Sequence, residues 1–84
     1  MSVPSWPSGH LRLDGDVFEF GAGDLTRVPV KDLKSIEVKE KAGRLSVKIA
    51  YAAGLNNVKT SAWVEEQHAA ELDELVGAVR AAMG

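Results

Sequence analysis

The sequence predicts a mainly β domain with one C-terminal α-helix, built as a small antiparallel barrel or two orthogonal sheets capped by that helix. Three observations lead there. Short period-two segments separated by Gly, Pro and Asp turns fill residues 10–63. A single stretch of helical period follows, with Ala69, Leu72, Leu75, Val76, Val79 and Met83 on one arc. No other segment has an apolar face wide enough to cover the strands, and a sheet with one apolar face must close on itself or be covered.

The 84 residues make one small domain, with 45 % apolar residues and no cysteine, so neither disulfides nor thiolate metal sites brace it. Residues 1–9 (MSVPSWPSG) read as an extended or disordered lead-in, because two prolines and three serines oppose regular structure. Trp6 has two readings, a ring docked on the barrel or a free hook for a partner, with docking favoured.

The domain proper is expected over 10–84. Leu11 and Leu13 share a face, Asp14-Gly15-Asp16 makes a hairpin turn, and Phe18 and Phe20 continue the apolar side against Val17 and Glu19. Gly21-Ala22-Gly23-Asp24 is a second turn; without a third glycine or a following helix it is no phosphate loop. A third strand covers 25–30, ending near Pro29. A fourth runs from Ser35 to Glu40 and a fifth from Arg44 to Tyr51, with Leu45, Val47, Ile49 and Tyr51 on one face. A two-residue Ala42-Gly43 loop between them pairs Val38 with Val47, Ile36 with Ile49, and Glu37 with Lys48. Residues 52–57 read as a loop and 58–63 as a sixth strand. The capping helix is expected over about 64–83, opened by Glu65 and Glu66 at its positive end.

HLRLDGDVFEF, TRVPVKDLKSIEV, RLSVKIAY, and Trp63 ahead of LDELVGAVRAAM together resemble a bacterial pleckstrin-homology-like (PH-like) domain over residues 10–83. The resemblance implies that fold and no particular activity. It also implies seven strands where six are legible, so a seventh is expected within 52–64 or from a different division of 25–33. Lipid-binding members of the wider superfamily hold inositide headgroups with cations around the first hairpin loop. Taking that loop as Asp14-Gly15-Asp16, its two carboxylates argue against a phosphoinositide partner.

Net charge is −2, but residues 27–59 carry eight of the ten basic groups. Within them Lys39, Lys41, Arg44 and Lys48 form a candidate patch for anionic surfaces, weighed against the plainer reading of solvated strand faces. Nucleic acid is disfavoured, since Tyr51 is the only aromatic among the basic strands. No catalytic constellation, cofactor motif or metal set is present: Glu65 and His68, or Glu71 and Glu74, are single i, i+3 pairs, too few to hold a metal. No stretch is long enough to span a membrane and residues 1–9 lack a signal-peptide pattern, so a cytoplasmic protein is expected. The remaining expectation is a non-enzymatic binding or scaffold module acting through protein contacts or self-association. Its candidate helix face is Ala70, Gly77 and Ala81, where small side chains let another backbone approach.

Overall fold

The computed structural model describes residues 1–6 and 8–84. Seven strands form two antiparallel sheets. Sheet A holds β1 (Ser2–Ser5), β2 (Gly9–Asp14), β3 (Val17–Gly21) and β4 (Thr26–Pro29), in that order. Sheet B holds β5 (Leu33–Lys41), β6 (Arg44–Ala53) and β7 (Asn56–Glu65), also in chain order. A 3-10 turn at Val30–Asp32 joins the sheets, a second at Glu66–His68 follows β7, and α1 (Ala69–Met83) ends the chain.

The predicted class holds: mainly β, two antiparallel sheets, one C-terminal helix. The ladder does not close into a barrel, since β4 and β5 are not neighbours in any sheet. Among the described residues one isolated bridge stitches the sheets together, Trp6 to Trp63, where the Trp6 N–H donates to the Trp63 carbonyl at 2.8 Å.

The seventh strand lies where neither expectation placed it. It is β1, inside the supposed lead-in, paired with β2 through Val3↔Leu11 and Pro4↔His10. Proline misled because it lacks a donor, yet an edge strand tolerates it. Val3 is fully buried opposite Leu11, so residues 2–5 are extended as part of the sheet.

The helix starts at Ala69, five residues later than expected. Val64 is the cause: it faces inward opposite Leu45 and is fully buried, so period-two burial carries β7 on to Glu65. The Ala52–Asn57 loop contracts to a Gly54-Leu55 turn, with Ala53 paired to Asn56. Gly54 at φ 63 supplies the left-handed first position of that turn.

Elsewhere the alternation was legible. Val38 pairs with Val47, Ile36 with Ile49 and Glu37 with Lys48, as the two-residue turn required. Leu72, Leu75, Val76 and Val79 are buried in one core with Leu11, Phe18, Ile36, Val47 and Ile49. Each such side chain, taken fully from water, is worth about 1.5–3 kcal/mol. Phe20 meets Phe18 at 5.5 Å and Tyr51 edge-on at 6.0 Å, joining the inner faces of the two sheets. On the far side of α1, Arg80 donates to the Ile36 carbonyl at 2.8 Å, which satisfies an acceptor on the edge strand β5.

Candidate functional site

Strand alternation and the register of sheet B place one set of side chains together on its outer face. The row Trp6–Trp63–Ser46–Lys39 crosses the sheet, because bridged and paired residues point the same way. Beside it run Glu65–Arg44–Lys41 on one side and Ser61–Lys48–Glu37 on the other, with Lys59–Ala50–Ser35 beyond. Lys39, Lys41, Arg44 and Lys48, the sequence-predicted patch, are therefore all exposed on one surface. Lys59 joins them from β7. The face carries five cations against Glu37 and Glu65, a net charge of +3 in a chain of −2, which leaves −5 elsewhere.

Trp6, which the sequence offers as a docked ring or a free hook, and Trp63 lie on this same face, a placement the sequence reading did not make. The backbone of Trp6 docks on β7, yet the residue stays 52 % exposed. The Arg44 guanidinium carbon sits 5.2 Å from the Trp6 ring centroid, a cation–π distance. Among the described residues, Lys39, Lys41, Lys48 and Lys59 make no ion pair within 4.0 Å, Glu37 opposite Lys48 included. Their side chains are exposed to solvent.

Two depressions border the face. The larger, about 430 Å³, is lined by Ser35, Glu37, Lys48, Ala50, Lys59 and Ser61, with small side chains between the two lysines. The smaller, about 260 Å³, lies at the seam between the sheets, where Trp6 and Trp63 meet Phe20 and Ala22.

The other predicted positions separate from this surface. Ala70, Gly77 and Ala81 are exposed on α1, sharing their arc with Asp73 and Glu74, and a β-carbon added at Gly77 would meet nothing within 4 Å. Asp14-Gly15-Asp16 links β2 to β3, so it follows the β1–β2 pair and is not the first connection between paired strands.

Sheet A has a charged cluster that sequence reasoning did not assemble. His10 Nε2 lies 2.8 Å from Glu19 Oε1, and Arg27 reaches the other oxygen of Glu19 at 3.7 Å. The His10 hydrogen bond holds the Glu19 carboxyl below its ordinary value of 4.5; desolvation opposes this, and Arg27 and Arg12 assist. The signal was present in sequence, since a Gly15-Asp16 turn puts Arg12 opposite Glu19. One carboxylate held by cations and a histidine is a structural arrangement with no nucleophile beside it. His68 Nδ1 contacts Glu71 at 3.2 Å, and Glu65 bonds Gln67 instead of His68. Among the described residues no three His, Asp or Glu side chains gather as a metal set, and no helix is long and apolar enough to cross a membrane.

No protein-family model, curated protein or solved structure matches this chain.

Proposed function

We propose that the chain is a PH-like, non-enzymatic, cytoplasmic binding module that acts through protein contacts, with the outer face of sheet B as its recognition surface. The observation that carries this reading is Trp6: a backbone-anchored ring, half exposed, backed by Arg44 and on the same sheet face as Lys39, Lys41, Lys48 and Lys59. Aromatic and arginine anchors on a rigid surface dominate binding energy at protein interfaces. Seven strands and a capping helix, the number the PH-like resemblance implied, support the fold assignment. The apolar stripe of α1 is committed to the core, so the helix offers only its small, acidic back.

Site-specific photo-crosslinking in the source cells tests the reading. A photoreactive residue in place of Ser61, on the proposed face, is expected to capture a protein; one in place of Asp14, on sheet A, is not. Capture from neither position, or turnover in a broad substrate screen that is lost on changing one polar cluster, overturns it.

The unpaired lysines favour a second reading, a charge-driven binder of anionic surfaces through Lys39, Lys41, Arg44 and Lys48. Such binding weakens steeply with salt, and co-sedimentation with vesicles or oligonucleotides at low and high salt separates the two.

A further inference from the structure

We infer that the outer face of sheet B takes an extended acidic segment of a protein partner, seating one carboxylate between Lys48 and Lys59 and an apolar side chain on Trp6. This rests on the protein-binding reading above and supplies the chemistry of the partner.

Charge selects the sign of the ligand. The face is +3 while the remainder of the chain is −5, so an acidic segment is drawn here and repelled from the rest. The depression supplies the seat. Ala50, Ser35 and Ser61 are small, and Lys48 and Lys59 line the hollow from adjacent strands, leaving about 430 Å³ beside two lysines that outnumber the one carboxylate of the lining, Glu37. Hydroxyls of Ser35 and Ser61 are donors at the same place.

Spacing defines the segment. Trp63, bridged to Trp6, and Lys59 are four residues apart on β7, roughly 13 Å at strand rise. An extended peptide covers that distance in about four residues, so its carboxylate and apolar anchor are i and i+4.

A nucleic acid fits less well. Its charge recurs at every phosphate, and Glu37 and Glu65 interrupt the cations on this face. Among the described residues the rings on this face are Trp6, which Arg44 already lies against, and the less exposed Trp63, fewer than a stacking platform for successive bases needs. A peptide places its acids intermittently, so it sets a single carboxylate near Glu37, which lines the same hollow as Lys48 and Lys59.

Isothermal titration calorimetry with an acetylated decapeptide of glutamate and serine, carrying one phenylalanine four residues from its central glutamate, tests this. We expect 1:1 binding that weakens about tenfold between 50 and 300 mM salt. The pair K48E/K59E is expected to lose about tenfold in affinity and Trp6→Ala about threefold, each with the far-UV spectrum unchanged. Glu37→Gln is expected to tighten binding about twofold, a gain that no folding defect can produce. Absence of binding to the wild type, equal binding by K48E/K59E, or tighter binding of oligothymidylate or phosphatidylserine vesicles at the same salt overturns the inference. If the peptide fails while a crosslinker at Ser61 still captures a protein, the acidic specificity is wrong and the module reading stands. If both fail, both fall.

Discussion

Val3→Ala examines whether the first residues belong to the fold. Val3 is fully buried and packs in the core with Leu11 and Phe18. The change removes two methyl groups, about 1.6 kcal/mol of transfer free energy at 0.8 kcal/mol per carbon. The residual cavity adds about 1 kcal/mol, for a total near 2.5 kcal/mol. In a domain of this size each kcal/mol lowers Tm by about 4–8 °C, so a fall of roughly 10–20 °C is expected. Urea denaturation followed by far-UV circular dichroism measures it, with an unchanged m-value showing that both end states are preserved. Ser2→Ala, at an exposed position on the same strand, is the control and is expected to stay within about 0.5 kcal/mol. A loss for Val3→Ala no larger than that of the control would show that β1 is not part of the cooperative unit.

Three other outcomes follow from the backbone and the charges. Ala42 is the only described non-glycine residue at positive φ (53°), and with Gly43 at 76° it forms a type I′ turn; Ala42→Asn is expected to stabilise by about 0.5–1 kcal/mol in the same denaturation assay. A β-carbon at Gly9 would lie 2.2 Å from the Gly21 carbonyl oxygen, backbone that cannot swing aside, so Gly9→Ala is expected to cost about 2–3 kcal/mol; a neutral result would refute the close approach of β2 to the end of β3. The folded Glu19 carboxyl titrates below its unfolded value, so its stabilisation is complete above about pH 4.5 and is lost as pH falls through the folded pKa. Wild type should therefore exceed Glu19→Gln in stability at pH 6, with the gap closing in acid; a gap independent of pH would mean that the ionised carboxylate contributes nothing.

What could be read from the sequence was local. Alternation of Leu45, Val47, Ile49 and Tyr51 gave the inner face of β6, and the Ala42-Gly43 turn then fixed the β5–β6 register residue by residue. The helical stripe likewise named Leu72, Leu75, Val76 and Val79 as core. What could not be read depended on contacts between distant segments. Val3 carries one apolar side chain among serines and proline, too little for a period, and only Leu11 across the ladder makes it a strand. Trp63 and Val64 are adjacent apolar residues, so alternation alone could not decide which faced inward; burial of Val64 against the helix side of the core sends Trp63 outward. That choice, with the Trp6 bridge, puts two indoles beside the lysines of sheet B. The basic patch and Trp6 were each legible as candidates; that Trp6 and Trp63 share the face of the lysines was not.

The outer face of sheet B as the recognition surface is tested most directly by amide chemical-shift mapping of the labelled protein with the acidic decapeptide. Shifts concentrated at Lys39, Arg44–Ala50 and Lys59–Trp63, together with the Trp6 indole, are the predicted result. Shifts confined to Ala70–Ala81 on the back of α1, with sheet B silent, would contradict it.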